Sequence, residues 1–223
     1  MWRDWLEFQA GSIPAAPIEI LKRMEKMNPQ EIIDGINAHH EHTQSKPRGY
    51  LGMSQIGEPC DRRLWYGFRW AAPEKFPGRI LRLFRRGHRE EQTVIDDLEA
   101  IGFQIEHMLD DQYEVSHGPH ILGHLDGIIK SPINAILEIK THSDKSFKAL
   151  QSKGVEKSKP THYAQMQVYM LKVGKPRGLY VAINKNDDQL YVEIVDINAA
   201  RAEAYLHRAE AIVSAEYAPR RIS

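Results

Sequence analysis

Two apolar stretches of the sequence carry ionisable residues inside what read as buried strands. Asp126 lies in the run 121–129, and Glu138 and Lys140 lie in the run 135–141. Side chains alternate along a strand, so Glu138 and Lys140 point to the same face. Strands this apolar are typical of a sheet buried on both sides, where three ionisable groups cannot all be solvated. Buried ion pairs would explain them, but such pairs add little net stability, which favours a functional site.

These residue types suit metal-assisted hydrolysis of a phosphodiester. Carboxylate oxygens are ligands that Mg²⁺ prefers, and we expect Asp126 and Glu138 to hold one ion, with Glu91 or His88 adding a ligand. A bound metal acidifies a water and neutralises charge on the phosphate. We expect Lys140 to orient that water and to stabilise the developing negative charge.

The segment 79–100 has the periodicity of an amphipathic helix. Its apolar face comprises Ile80, Leu83, Phe84, Val94, Ile95 and Leu98. Gly87 and Glu91 fall in the middle of that face, and His88 falls at its border. A glutamate there is costly unless it is paired, protonated or bound to a cation, so a buried salt bridge is the alternative to a metal ligand. Gly87 predicts that the helix approaches another element closely.

An arginine stripe occupies the opposite side of the same helix. It comprises Arg79, Arg82, Arg85, Arg86 and Arg89. The stripe either contacts the phosphate backbone of a nucleic acid or is only a solvated face, and the pattern favours neither. The chain contains 30 Lys plus Arg and 30 Asp plus Glu, so binding of nucleic acid would depend on local patches rather than on net charge.

The composition is that of a globular protein with a sizeable core: 223 residues, 42% hydrophobic and 27% charged. Cys60 is the single cysteine, which excludes an internal disulfide and favours a reducing compartment. No apolar run reaches the length of a membrane span, and the first residues lack the apolar core of a signal peptide. We therefore expect a cytoplasmic protein without a membrane partner. The chain has no His-Glu-x-x-His pair, which argues against a metalloprotease.

The order of predicted elements is that of an α/β fold. Helices are predicted near 17–27, 29–42, 54–70, 79–100, 160–172 and 198–216, and strands near 103–107, 112–116, 121–130, 134–140, 178–183 and 189–195. This order predicts one mixed central β-sheet flanked by helices. We expect a helical N-terminal extension over residues 1–50 and the main domain over residues 51–223.

Four motifs resemble those of the PD-(D/E)XK nuclease superfamily, in its RecB-like exonuclease branch. They are Gly87-His88-x-x-Glu91, Gly123-His124-Leu125-Asp126-Gly127, Glu138-Ile139-Lys140-Thr141 and Gln165-x-x-x-Tyr169. The Glu-x-Lys motif alone is weak, whereas four motifs in this order, each on the expected element, are specific. The resemblance spans about residues 54–195 and implies a restriction-endonuclease-like core.

The resemblance also implies roles for individual residues. The implied metal-binding residues are His88, Glu91, Asp126, Glu138 and Ile139, and the implied catalytic residues are Asp126, Glu138, Lys140, Gln165 and Tyr169. The last two would help to position the site or the DNA. Mg²⁺ is the implied cofactor, with Mn²⁺ as a substitute. The stretch 54–66, which contains Arg62 and Arg63, resembles the first helix of CRISPR-associated and phage recombination exonucleases. With Arg85, Arg86 and Lys185, these arginines are the predicted DNA-binding residues.

The CRISPR-associated relatives hold an iron–sulfur cluster through four cysteines, so Cys60 alone argues against a cluster and favours resemblance to the cluster-free exonucleases of phage or mitochondrial-maintenance type. The leading hypothesis is a metal-dependent DNA exonuclease of phage or prophage recombination, repair or DNA processing, located in the cytoplasm of a bacterial host. A single-strand annealing protein or a helicase would be its partner. A structure-specific or restriction-type endonuclease would use the same residues. A non-catalytic DNA-binding or assembly module is the alternative from another class, which the intact Asp126, Glu138 and Lys140 disfavour.

Overall fold

The computed structural model describes residues 28–43, 48–71, 75–106 and 113–220, which form six α-helices and two mixed β-sheets. The helices are α1 (Pro29–His42), α2 (Asp61–Phe68), α3 (Gly78–Ala100), α4 (Asp144–Ser158), α5 (Pro160–Val173) and α6 (Ala199–Ser214). The strands are β1 (Leu51–Gly52), β2 (Gln104–Glu106), β3 (Tyr113–His117), β4 (Ile121–Leu125), β5 (Gly127–Ser131), β6 (Ala135–His142), β7 (Arg177–Asn184) and β8 (Leu190–Asp196). None of these helices has the length and apolar character needed to span a membrane.

The chain divides into two compact units, and the smaller one comprises Met1–Gln44 with Phe76–Leu81. Helix α1 begins with a capping box, in which Asn28 accepts from the Glu31 amide at 3.0 Å and Glu31 accepts from the Asn28 amide at 2.8 Å. The predicted helix 29–42 is thereby confirmed, while the predicted helix 17–27 lies outside the described residues. The domain boundary at residue 50 stays a prediction.

The larger unit, Ser45–Lys75 with Arg82–Ser223, contains a five-stranded sheet in the order β2-β5-β6-β7-β8. Strands β6 and β7 are parallel and the other neighbouring pairs are antiparallel. On one face, Ile136 and Tyr180 join the core that α4, α5 and α6 complete. On the other face, Leu137 and Val181 pack with Val94 of α3. The central strands are therefore buried on both sides, as their apolar sequence predicted.

A second, three-stranded sheet, which the sequence did not predict, has the order β1-β4-β3. Strands β4 and β5 are separated only by Asp126, yet they belong to different sheets. The predicted single strand over 121–130 is therefore wrong at its centre. The backbone of Asp126 belongs to neither strand. Its carboxylate accepts a hydrogen bond from the Ile139 amide at 2.7 Å.

The predicted helix 54–70 is wrong in its first half. A 3-10 turn at Met53–Gln55 is followed by non-helical residues, and α2 begins at Asp61. Pro59 disfavours helical conformation in the residue before it. Gly57 lies so close to α5 that an added Cβ would stand 2.6 Å from the Thr161 Cα. Tight packing against α5 therefore replaces helix in this segment.

Helix α4 was not predicted, because its apolar pattern is sparse. Its buried residues are Phe147, Leu150 and Val155, and Gly154 interrupts the helix with a φ of 70°. Tertiary packing against the sheet, rather than local periodicity, specifies this helix.

The prediction that α3 approaches another element closely at Gly87 is wrong, because an added Cβ there would meet nothing within 4 Å among the described residues. Phe84, predicted for the apolar face of the same helix, is 46% exposed. The close approach occurs instead at Gly123 of β4. A Cβ at Gly123 would overlap the Tyr169 hydroxyl and stand 2.7 Å from its Cε1 and 2.8 Å from the Met53 Cβ. Gly123 therefore lets α5 pack directly on β4.

We predict opposite effects for alanine at these two glycines. Gly123→Ala should lower the free energy of unfolding by about 1–3 kcal/mol, because the added methyl overpacks the contact with Tyr169. Gly87→Ala should raise it by about 0.5–1 kcal/mol, because alanine is the better helix former where space is open. Urea denaturation of both variants measures this difference. A Gly123→Ala variant as stable as the parent would contradict the close packing of α5 on β4.

Candidate active site

Asp126, Glu138 and Lys140 meet in one cluster where the chain passes from β4 to β5. The Lys140 Nζ lies 2.5 Å from Glu138 Oε1 and 3.8 Å from Asp126 Oδ2. Glu138 and Lys140 share one face of β6, as their spacing predicted. The side chains of Glu138 and Asp126 are 0% and 6% exposed, whereas that of Lys140 is 27% exposed. The cluster therefore reaches solvent through its lysine.

The end of the β5–β6 pairing frees the backbone of Ile139 for this cluster. The two strands pair from Gly127–Leu137 onward, so no residue of β5 stands opposite Ile139. Its amide donates to Asp126 Oδ2 at 2.7 Å, and its carbonyl accepts from the Lys140 Nζ at 3.0 Å. The carbonyl oxygen is thus the atom through which Ile139 would act as a metal ligand.

Helix α5 places a second layer of polar side chains beside the cluster. Gln165 Nε2 donates to Glu138 Oε2 at 3.2 Å and lies 3.5 Å from the Tyr169 hydroxyl. That hydroxyl donates to the His124 carbonyl of β4 at 2.9 Å. Residues four apart on a helix share a face, which is why both side chains reach the same region. Gln165 and Tyr169 connect Glu138 to the strand that leads into Asp126.

Burial governs the protonation of the cluster. Burial raises the pKa of Glu138 to about 7, against the opposing effect of the Lys140 charge. Burial also raises the pKa of Asp126. For Lys140, burial acts to lower the pKa, but Glu138 and Asp126 outweigh it and raise the pKa above its ordinary value. The ammonium therefore stays charged, and a single positive charge faces two buried carboxyl groups.

The oxygens of the cluster fit a hard divalent cation. Glu138 Oε1 is buried, and its contact among the described residues is the ion pair with Lys140 Nζ at 2.5 Å. Two buried carboxylates beside the Ile139 carbonyl are the type of donor set that Mg²⁺ and Mn²⁺ prefer.

His88 and Glu91 lie on α3, outside this contact cluster. His88 Nδ1 lies 3.3 Å from Glu91 Oε2, and this hydrogen bond raises the pKa of His88. The Glu91 charge contributes to the raised pKa of Asp126, so the two carboxylates are near each other. In the described part of the chain, no three His, Cys, Asp or Glu side chains converge closely enough to hold a metal ion. The ligand roles of His88 and Glu91 stay predictions.

Two of the predicted DNA-binding residues, Arg86 and Lys185, lie near each other. Burial, together with the charge of Arg86, lowers the pKa of Lys185. Arg86 also pairs with Glu90 at 3.4 Å, and Arg85 is exposed. Lys185 follows β7 directly. Its amide donates at 2.9 Å to the carbonyl of His142, the last residue of β6.

Arg62 and Arg63 have partners within the protein. The Arg62 guanidinium donates to the Pro219 carbonyl at 2.9 Å and to the Tyr66 hydroxyl at 2.7 Å. Arg63 contacts Glu58 at 3.3 Å. Arg62 thus holds the segment after α6 against α2, a contact that the sequence did not indicate. The DNA contacts of both arginines stay predictions.

Polar residues that were not predicted to belong to the site border the cluster, although the helical spacing places His162 on the same face as Gln165 and Tyr169. His142 follows Lys140 by two residues on β6, and its Nε2 lies 2.8 Å from the Tyr180 hydroxyl. His162 Nδ1 lies 2.8 Å from the same hydroxyl. Extending the alternation of β6 by one more step would have identified His142. Tyr180 carried no signal in the sequence, because it lies in an apolar strand.

No protein-family model matches the sequence, and no curated protein matches it. The alkaline exonuclease LHK-Exo from Laribacter hongkongensis is similar in structure, with a TM-score of 0.52 and 15% identity over 81% of this chain and 91% of that chain. Its complex with dAMP gives a TM-score of 0.53 and 14% identity over the same shares, 81% and 91%. SSO0001 gives a TM-score of 0.50 and 20% identity over 85% of this chain and 89% of that chain. The chain therefore has the predicted restriction-endonuclease-like core, a mixed α/β fold.

Proposed function

We propose that the protein is a divalent-metal-dependent deoxyribonuclease that hydrolyses phosphodiester bonds, and an exonuclease rather than an endonuclease. The observation that carries the proposal is the convergence of Asp126, Glu138 and Lys140, in which one ammonium lies beside two buried carboxylates. The fold is shared with LHK-Exo, an exonuclease whose structure contains dAMP, which supports DNA as the substrate.

Asp126, Glu138 and the Ile139 carbonyl would hold Mg²⁺ or Mn²⁺, with His88 and Glu91 as proposed further ligands. The bound ion would supply an acidified water and a counter-charge for the phosphate.

Lys140 holds its proton at neutral pH, so its Nζ donates hydrogen bonds and cannot act as a ligand. It is the member of the cluster that reaches solvent, which lets it orient the attacking water and stabilise negative charge on the phosphate oxygens. Gln165 fixes the Glu138 carboxylate through its 3.2 Å hydrogen bond. Tyr169 holds β4 just before Asp126, and both helix residues are therefore positioning groups in this proposal.

The direct test compares three DNA substrates under Mg²⁺. End-labelled linear duplex, single strand and covalently closed circle are incubated with the protein, each with and without excess chelator. We expect linear DNA to be degraded and the closed circle to persist, because an exonuclease needs an end. Cleavage of the circle at a comparable rate would instead support the endonuclease alternative. Full activity in chelator would contradict the metal dependence, and an Asp126→Asn preparation controls for contaminating nucleases.

Lys140→Ala and Glu138→Ala should separate catalysis from metal binding. Lys140→Ala should lower the single-turnover rate by about a hundredfold or more, because a preorganised charge at the reacting group is lost. Its Mn²⁺ affinity should stay the same or increase, because a positive charge leaves the carboxylates. Glu138→Ala should lose both rate and affinity.

Calorimetric titration of Mn²⁺ and single-turnover cleavage measure the two effects. Lys148→Ala is the matched control, since this lysine of α4 has a 71% exposed side chain and pairs with Asp144 of its own helix. A Lys140→Ala variant that loses Mn²⁺ affinity as severely as Glu138→Ala would contradict the assigned role.

Arg85 and Arg86 are proposed to contact the DNA backbone, with Lys185 beside them. The double variant Arg85→Ala/Arg86→Ala should bind duplex more weakly and flatten the salt dependence of log affinity by about one to two units of slope, because fewer counterions are released. Lys175→Ala/Arg177→Ala, at the opposite end of β7 from Lys185, is the control and should keep the slope. An unchanged slope in the Arg85/Arg86 variant would identify the stripe as a solvated face.

The biological setting rests on the sequence resemblance alone. We propose a role in phage or prophage recombination, repair or DNA processing, with a single-strand annealing protein or a helicase as partner. Location in the cytoplasm belongs to the same proposal.

A further inference from the structure

A row of hydrogen bonds runs from the Lys159 ammonium to the ring of His162 beside the proposed active site. Lys159 Nζ donates to Ser146 Oγ at 2.6 Å, and Ser146 Oγ lies 3.2 Å from His142 Nδ1. The Tyr180 hydroxyl lies 2.8 Å from His142 Nε2 and 2.8 Å from His162 Nδ1. The row connects α4, β6, β7 and α5 through side chains alone.

The row borders the catalytic cluster on the same face of the sheet. Tyr180 pairs in register with Glu138 on the neighbouring parallel strand, so their side chains stand side by side. His142 is two residues after Lys140 on β6. His162 is one helical turn before Gln165, whose amide contacts Glu138 at 3.2 Å. His162 therefore ends the row next to the Glu138–Lys140 pair.

One arrangement of hydrogens satisfies every member of the row. A lysine ammonium has no lone pair, so Ser146 Oγ accepts from Lys159. Within the described residues, His142 Nδ1 is the acceptor available to the Ser146 hydroxyl hydrogen. A neutral His142 then carries its hydrogen on Nε2 and donates to the Tyr180 oxygen. The Tyr180 hydroxyl in turn donates to His162 Nδ1, which places the hydrogen of His162 on Nε2.

The surroundings keep each ring in the neutral state that this arrangement requires. Burial, aided by the charges of Lys159, Lys185 and Lys140, lowers the pKa of His142 to about 4. Burial, aided by the charge of Lys140, lowers the pKa of His162 to about 3. At neutral pH, each hydrogen bond of the row is therefore donated in the direction that runs from the Lys159 ammonium towards His162.

The Nε2–H of His162 has no acceptor among the residues that the structure describes. Among the described residues, His162 Nε2 is not one of the fully buried side-chain atoms without a partner, and the ring is half-buried, so this nitrogen keeps some access to solvent. A hydrogen-bond donor polarised by an ammonium through a chain of hydrogen bonds is well suited to an anionic acceptor. Because the ring is neutral, the donor adds no positive charge beside Lys140 and a divalent metal.

We propose that His162 is a further substrate-contacting residue, whose Nε2–H donates to a non-bridging phosphate oxygen of the DNA strand bound at the site. Lys159, Ser146, His142 and Tyr180 are positioning residues that hold this tautomer and polarise the donor. The inference rests on the proposed nuclease function and adds a neutral phosphate contact to its charged groups.

The first test removes the donor and then restores one. His162→Phe keeps a ring without a donor, and His162→Gln supplies a neutral amide donor. Affinity for a labelled duplex is measured by fluorescence anisotropy in excess chelator, and the cleavage rate is measured separately with Mg²⁺. We expect His162→Phe to lose about ten- to hundredfold in affinity, the effect of one hydrogen bond to a charged group, and His162→Gln to recover part of it. Parental affinity in a folded His162→Phe variant would overturn the contact.

The second test leaves His162 in place and interrupts the row. Ser146→Ala removes the link to Lys159, whereas Ser152→Ala, on the same helix with its hydroxyl bonded to the Ala149 carbonyl, is the matched control. NMR of ¹⁵N-labelled histidine reads the tautomers. We expect Nε2–H for both rings in the parent, a mixture of tautomers at His142 with weaker DNA binding in Ser146→Ala, and neither change in the control. An Nδ1–H tautomer at His162, or a Ser146→Ala variant with unchanged tautomers and affinity, would overturn the polarised row.

The outcomes separate this inference from the proposed function. A parent protein that cleaves DNA while His162→Phe binds and cleaves equally well overturns the role of His162 alone. A parent protein that neither binds nor cleaves DNA overturns the nuclease proposal and the DNA contact with it. Thermal unfolding identifies a His162→Phe variant that fails to fold, and His162→Gln and Ser146→Ala then decide the question.

Discussion

The hydrogen bond from the Ile139 amide to the Asp126 carboxylate is the interaction on which the arrangement of the site depends. It replaces the ladder contact that β5 would otherwise make with β6, so the chain can leave one sheet and enter another at a single residue. The same departure releases the Ile139 carbonyl, which accepts from Lys140. The backbone of Ile139 thereby contacts both a carboxylate and an ammonium that are fourteen residues apart, at 126 and 140.

Burial of the charged cluster is electrostatically unfavourable, and packing of the surrounding apolar core offsets this effect. Two carboxyl groups are buried between apolar layers with one ammonium, and burial raises the pKa of both acids. Apolar packing on both faces of β6 and β7 keeps the strands in register despite this unfavourable charge balance. The stability of the core and the charge of the cluster therefore come from neighbouring residues of the same strands, some with apolar side chains and some with ionisable ones.

The parts of the site that follow from local spacing could be predicted, and those that follow from tertiary contact could not. Strand alternation was enough to place Glu138 and Lys140 on one face, and helical spacing was enough to join Gln165 to Tyr169. The close approach assigned to Gly87 belongs to Gly123, because only the packing of α5 reveals which glycine lacks space. The second sheet and the contact of Arg62 with Pro219 likewise join distant parts of the chain. Such contacts leave no periodic pattern in the local sequence and so could not be predicted from it.

The parallel pairing of β6 with β7 has a consequence for biosynthesis. Parallel neighbours cannot be joined by a tight turn, and here the connection is the whole of α4 and α5. A nascent chain that has emerged only as far as β6 already carries Asp126, Glu138 and Lys140, but it lacks the strand and the helix that bury and orient them. The chain must be synthesised as far as Asn184 before β7 can pair along the whole length of β6. Assembly of the cluster is thus delayed until α5 and β7 have been made, which separates the synthesis of Asp126, Glu138 and Lys140 from their burial.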